Sequence, residues 1–427
     1  MQKLQRSIKT KSNELHRLYP DNSVLSDERV CSFLQEIFNH ITTSQKMWKR
    51  DKKNILEQHV SNELQTPDQL PKSYMYTYID STVRKHIETK SKYMYSFSLK
   101  MSARQYKIDI ILENRKSKPE LSQIVKYIYC WLFVLQKYAH IHNTGSTNPE
   151  KCSSTVHIYL YLTSLKKTSP ESTNTVLNCN HVNTAFTTGC QKTTNIHVFR
   201  EEEWFKVLIH ESFHNSGLDF IDIDSTVNSE AIAFIKNLFL VKIDDLRLFE
   251  TYCEMWGEIL NNMFTISFQK RDRKKNTQKR IGCSNKSRKV YCNTPMIKKL
   301  EKMLQQEAVF SCMQANKVLK LNDNMKYEDL FTVNSYKEET QCFSYYILKG
   351  IYMTHFTQFL QFCVWQTPPS LDFQLNRENL MKYVEIIKTY YKHPKTLAFM
   401  QNMREYLDNQ NDHFVKTTMR MSLKGKY

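Results

Sequence analysis

The stretch Trp204-Phe-Lys-Val-Leu-Ile-His-Glu-Ser-Phe-His-Asn-Ser-Gly217 decides how the chain is read. Three acids, Glu201, Glu202 and Glu203, precede it where a helix N-terminus favours negative charge. Gly217, one of only seven glycines in 427 residues, stands where a left-handed C-terminal cap is wanted. A helix over Trp204 to Ser216 is predicted. On it, His210 and His214 are four residues apart, so both imidazoles share one face with Cβ atoms about 5–6 Å apart, a spacing that suits a single metal ion. Glu211 is turned one residue away and can reach a water beside such an ion without ligating it. The composition gives roughly 0.05 copies of a His-Glu-x-x-His motif by chance in a chain of this length, so chance is disfavoured.

Upstream of the motif the hydrophobic period is two. Tyr93, Tyr95, Phe97 and Leu99 share one face, and Tyr106, Ile108, Ile110 and Leu112 do the same, which predicts two consecutive strands. Pro119 and Glu120 open an apolar helix over Leu121 to Ala139. Val156, Ile158, Leu160 and Leu162 alternate again, and shorter strands are expected at His181 to Thr187 and Asn195 to Phe199. Strand, strand, helix and three further strands predict a mixed sheet with a helix against it. Downstream, helices are expected at Ser229 to Val241 and Leu246 to Phe264.

Four regions follow: a helical N-terminal region, 1–92; a catalytic core, 93–268; a basic loop, 269–290; and a helical C-terminal domain, 291–427. Residues 1 to about 90 read as a polar helical cover with a connector at 61–76. The window Ser344 to Trp365 is apolar but interrupted by Lys349 and His355, which predicts a buried amphipathic helix and no membrane span.

Composition narrows the class. Hydrophobic residues at 41% are ample for a core, which excludes global disorder. Seven Gly and ten Pro, against about 30 and about 21 for ordinary usage, argue against collagenous, loop-dominated or Gly-rich nucleotide-binding designs. Eleven Cys occur singly and in odd number, so a reducing compartment such as the cytoplasm is expected rather than a disulfide framework. The net charge is +18, and Gln269 to Val290 holds ten Lys or Arg and one acid. Residues 270–289 are therefore a candidate surface for nucleic acid or another polyanion, against the plainer reading of a solvated loop.

The motif, its helix and the preceding sheet resemble the zincin metallopeptidases over about residues 93 to 264. The resemblance implies an α+β fold in which a mixed sheet with a substrate-binding edge strand precedes the His-Glu-x-x-His helix. It also implies one catalytic Zn2+ held by His210, His214 and a third protein ligand, with Glu211 as general base and a polypeptide as substrate. The longer metzincin motif is matched through Gly217 but has Phe220 where its last His belongs. Asp219, Asp222 and Asp224 lie nearby and could substitute for that His as the third ligand, and a loop carboxylate that hydrogen-bonds a ligand His, as Asp219 could, is equally consistent.

Gluzincins take the third ligand from a Glu on a later helix, usually followed four residues on by a supporting carboxylate. Leu246 to Phe264 offers Glu250, Glu254 and Glu258 in one i, i+4, i+8 row. The stretch Glu254-Met-Trp-Gly-Glu258 is similar to the gluzincin ExxAE pattern, with Gly257 in place of Ala. This favours Glu254 as ligand and Glu258 as its support, with Glu250 and Glu230 as rivals. A Gly inside a helix costs roughly 1 kcal/mol relative to Ala, so close approach of another backbone is expected at Gly257.

Asn183-Thr-Ala-Phe186 is similar to the edge-strand sequence of thermolysin-like enzymes, which places Asn183 and Ala185 beside substrate. Tyr345, Tyr346 and His355 are candidates for the donor to a developing oxyanion. Low Gly, Ala and Pro with abundant Lys, Asn, Ile and Tyr are similar to uncharacterised His-Glu-x-x-His proteins of large DNA viruses. The expected function is a zinc-dependent peptidase. The alternative is a non-catalytic virion or scaffold protein with a zincin-like core and a polyanion-binding surface.

Overall fold

The computed structural model describes residues 1–20, 25–139, 152–171, 175–269, 294–366 and 370–425. The chain begins with helices α1 (Gln2–Leu18) and α2 (Glu28–Glu57), a short exposed strand β1 (Val60–Glu63) and helix α3 (Ser81–Lys90). Asp27 and Asp80 cap α2 and α3, each accepting two backbone N–H groups of the first turn. The alternating stretch becomes an antiparallel pair, β2 (Tyr93–Met101) and β3 (Arg104–Leu112), in register from Tyr93 with Leu112 to Met101 with Arg104. Helix α4 (Lys118–Leu135) carries the chain to β4 (Thr155–Leu162), which lies parallel to β3. The one-turn helix α5 (Cys179–Val182) precedes β5 (Ala185–Thr187) and β6 (Thr193–Val198).

The fold is α+β with one six-stranded mixed sheet in the order β1-β2-β3-β4-β6-β5. Strand β6 runs parallel to β4, and β5 closes the far edge antiparallel to β6. Period-two alternation assigns the faces. Ile108, Ile110, Ile158, Leu160, Ile196 and Val198 join the main core, while Ile111, Tyr159 and Tyr161 face a smaller cluster with Val83 and Ile87 of α3. Two expectations change. Val60–Glu63 is an added edge strand within the expected connector, and His181–Val182 is helical, so the expected strand at 181–187 begins only at Ala185.

After the sheet come α6 (Trp204–Asn215), α7 (Ser225–Leu238) and α8 (Leu248–Phe268). The rest is helical: α9 (Pro295–Leu321), a π-helical turn (Phe343–Leu348), α10 (Lys349–Thr354), α11 (Phe356–Gln366), α12 (Arg377–Tyr390), α13 (Pro394–Asp408) and α14 (His413–Thr417). The expected helix over 344–365 is present but broken at His355, and among the described residues no helix is long and apolar enough to cross a membrane. Residues from Leu4 to Leu423 contribute to one apolar cluster, so the sequence regions do not each enclose a separate core. A Cys152–Cys190 disulfide joins the segments that lead into β4 and β6, which corrects the expectation of unpaired cysteines; six other described cysteines are free. The basic residues 270–289 lie outside the described residues.

Residues 418–424 run as a largely buried, non-helical segment with bends at Met421 and Leu423, held by α9, the start of α6 and the π-helical turn. Lys317 of α9 donates to Thr418 O at 2.6 Å with no carboxylate among the described residues paired with it, and burial pushes its amine down to about 7. In the unfolded chain the same amine titrates near about 10.4. The folded chain therefore carries the full penalty of a buried ammonium below about pH 7, and the penalty is relieved as pH rises from about 7 to about 10, where the unfolded chain binds more protons. Lys317→Met should raise the midpoint of thermal unfolding by more at about pH 6 than at about pH 9.5. Equal shifts at the two pH values would refute this reading of Lys317.

Candidate metal centre

Helix α6 is buried along its whole length, and its shape follows from its ends. Glu203, the N-cap residue, adopts a left-handed φ of 62° and sends its carboxylate to Lys167 Nζ at 2.6 Å. The acids before α6 thus serve here in a buried ion pair as well as near the helix dipole. At the other end Gly217 has φ 62°, as its position after the motif predicts, and Leu218 N–H donates to Phe213 O at 2.9 Å. This reversal brings Asp219 back against His214, whose Nδ1 makes a short contact with Asp219 Oδ2. Trp131 of α4 fixes the middle of the helix by donating its indole N–H to Ser212 Oγ at 3.0 Å.

Helix α8 crosses α6 at Gly257. A Cβ there would meet Lys206 O at 3.5 Å and His210 Cβ at 3.6 Å, so the two helices are close but an alanine would also fit. The crossing aligns successive turns of the two helices. Lys206 Nζ meets Glu254 Oε1, while one turn further along α6 His210 Nε2 meets Glu250 Oε2 at 3.1 Å. His214 Nε2 lies 3.3 Å from the same Glu250 oxygen and 3.1 Å from His210 Nε2. Three potential ligand atoms thus lie 3.1–3.3 Å from one another on side chains at most 9% exposed.

The outer nitrogens face carboxylates. His214 Nδ1 is held by Asp219, whose Oδ1 accepts from Ile221 N–H at 3.1 Å. His210 Nδ1 lies 3.1 Å from Glu254 Oε1, angled away from a good hydrogen bond. With protons on the Nδ1 atoms, both Nε2 lone pairs and the Glu250 carboxylate converge on one point without a hydrogen between them. A cation satisfies that arrangement. A tetrahedral zinc with bonds of about 2.0–2.1 Å sets its ligand atoms about 3.3–3.4 Å apart, close to the separations found here. A second cluster, His214, Asp219 and Cys253, uses the other nitrogen of His214, which Asp219 already engages.

Electrostatics separate the acids. Burial opposes charge on Glu250, but without a metal His214 and His210, protonated and donating to it, hold its carboxyl far below the ordinary range. Burial likewise opposes charge on Glu254, and Lys206 and Lys349 overcome it. Glu211 differs: burial raises its carboxyl, the two imidazoles pull it down, and Glu250 and Glu254 add to the rise. Its environment therefore favours a proton-accepting group more than an inert carboxylate.

Glu211 and His210 open onto a small cleft, which is also lined by Asn183, Thr184, Ala185 and Tyr345. Thr184 O accepts from Phe199 N–H at 2.8 Å and Thr188 N–H donates to Asn195 O at 3.1 Å. By strand parity, the backbone groups of Ala185 and Thr187 point away from β6 at an edge that no other described strand covers. Asn183 and Ala185 thus both line the cleft. Tyr345 has its ring centroid 6.2 Å from that of His210, and its phenol interacts with Glu250.

Other sequence candidates lie elsewhere or differ in role. Glu254, expected as a ligand, instead faces the Nδ1 of His210 and is engaged by Lys206 and Lys349. Glu258, expected to support the ligand, pairs with Lys349 and Asn262 and touches neither imidazole. Glu230 is exposed and forms an ion pair with Arg377, and Asp224 caps α7. Tyr346 donates to Met419 O at 2.6 Å, and His355 bonds Thr396 and stacks on Tyr390, so neither reaches the cleft. Sequence reading missed Lys206 and Lys349. Lys206 lies one helical turn before His210 on the same face, a spacing that marks it as a neighbour of whatever pairs with that histidine. Comparison of the chain with family models, with curated proteins and with solved structures gives no match.

Proposed function

We propose that the chain is a zinc-dependent peptidase whose metal ligands are His210, His214 and Glu250. The convergence of two Nε2 atoms and one carboxylate oxygen within 3.1–3.3 Å carries this reading. The gluzincin pattern that the sequence resembles, a ligand Glu followed four residues on by a supporting carboxylate, then applies one turn earlier than expected, to Glu250 and Glu254. Zinc bound there would act as a Lewis acid and lower the pKa of a bound water. An extended peptide would pair with the open backbone groups of Ala185 and Thr187, which sets its scissile carbonyl over the cleft. Glu211 takes a proton from the attacking water and passes it to the leaving amine. Tyr345 is placed to donate toward the developing oxyanion.

The test is cleavage of a random peptide library by the purified chain, alone, after chelation, and after zinc is returned. The proposal expects cleavage that chelator abolishes and zinc restores. Cleavage that persists in chelator, or none at any zinc level, would overturn it.

A further inference from the structure

The segment 418–424 buries Met419, Met421 and Leu423 in the core and pairs Arg420 with Glu202, and its backbone is gripped by side chains from distant elements. Gln314 donates to Thr418 O and Arg420 O, and Tyr346 to Met419 O. Met421 N–H donates to both oxygens of Glu203 at 3.1 and 3.2 Å, and Leu423 and Lys424 N–H donate to Glu307 at 2.8 and 3.2 Å. One grip leads to the candidate metal centre. The Lys349 ammonium donates to Met421 O at 2.7 Å, Glu254 Oε2 at 3.0 Å and Glu258 Oε2 at 3.1 Å. Glu254 in turn lies 3.1 Å from His210 Nδ1 through its other oxygen, and Met421 lines the cleft beside Glu211.

We propose that segment 418–424 positions the site: its Met421 carbonyl fixes Lys349, which holds Glu254 against the outer nitrogen of the metal ligand His210. The proposal rests on the zinc reading above. An ammonium offers three donors, and here the three acceptors take all of them. Displacing the segment would free one donor and let Lys349 move between the two carboxylates. It would also leave the buried Glu203 and Glu307 short of backbone donors, so the docked state is strongly preferred. Lys349 and the segment are positioning groups that act through Glu254.

Lys317 supplies the control, because it grips the same segment at Thr418 O but touches no carboxylate of the site. Zinc affinity of the full chain, Lys349→Met and Lys317→Met is measured by competition with a chromogenic chelator. Lys349→Met should lose about 10- to 100-fold, the scale for an outer partner of a ligand, while Lys317→Met stays within about twofold of the unaltered chain. Because coupling is reciprocal, zinc should also slow amide exchange at Met421 and Leu423 in the unaltered chain, by about fivefold or more. If Lys349→Met fails to fold, the exchange result on the unaltered chain decides. An unaltered chain that binds no zinc overturns the metal reading and this inference with it. Zinc binding with equal affinities in both lysine variants, or with unchanged exchange at these amides, overturns the positioning role alone.

Discussion

Glu250→Ala should strip the site of its metal. It removes one of three convergent ligands, so zinc affinity falls by more than the about 10- to 100-fold typical of losing an outer partner, and peptide cleavage falls with it. Glu254→Gln is the informative contrast. It keeps the shape of a side chain buried against Lys206, Lys349 and His210 but removes the charge that both lysines rely on. Its zinc affinity should weaken by only about 10- to 100-fold, accompanied by a loss of stability from two under-compensated buried ammonium groups. Glu230→Ala breaks an exposed ion pair with Arg377 and should leave zinc affinity unchanged, with a stability change within about 1 kcal/mol. Chelator competition ranks the three variants. If Glu254→Gln loses zinc while Glu250→Ala keeps it, the third ligand lies one turn further along α8.

Glu211→Gln should separate binding from chemistry. Its carboxylate lines the cleft but lies outside the three-atom cluster, so the amide should leave zinc affinity intact. Hydrolysis should fall by at least about 100-fold, the scale of lost general-base catalysis. The readout pairs zinc titration with initial rates on one cleaved peptide. Retained cleavage would remove Glu211 from the proton transfers, and lost zinc would place it among the ligands.

The motif helix, its glycine cap and most of the sheet were legible because each depends on local signals. Two histidines at i and i+4 must share a face, a rare Gly after the last turn must relieve a left-handed residue, and alternation over 93–112 fixes both strands and their faces. Asp219 was legible as a partner because it follows the cap by two residues. The carboxylate that meets both histidines was harder to place. Glu250, Glu254 and Glu258 share one face of α8, but each four-residue step moves about 6 Å along the axis, and only the level at which two helices cross decides which one meets the imidazoles. Here α8 meets α6 so that Lys206 takes Glu254 and the histidines take Glu250. Gly257 marked the crossing without giving its level. The role of segment 418–424 had no local signature, since the contact that leads to the site is made by the backbone carbonyl of Met421 and not by a side chain.

The most direct test of the zinc centre is metal analysis of the full chain purified without chelator, beside the double variant His210→Ala with His214→Ala. About one zinc per chain is expected in the first and none in the second, because the proposed tetrahedral site takes three protein ligands and both imidazoles are among them. An unaltered chain without zinc, or a double variant that still holds it, would contradict the account.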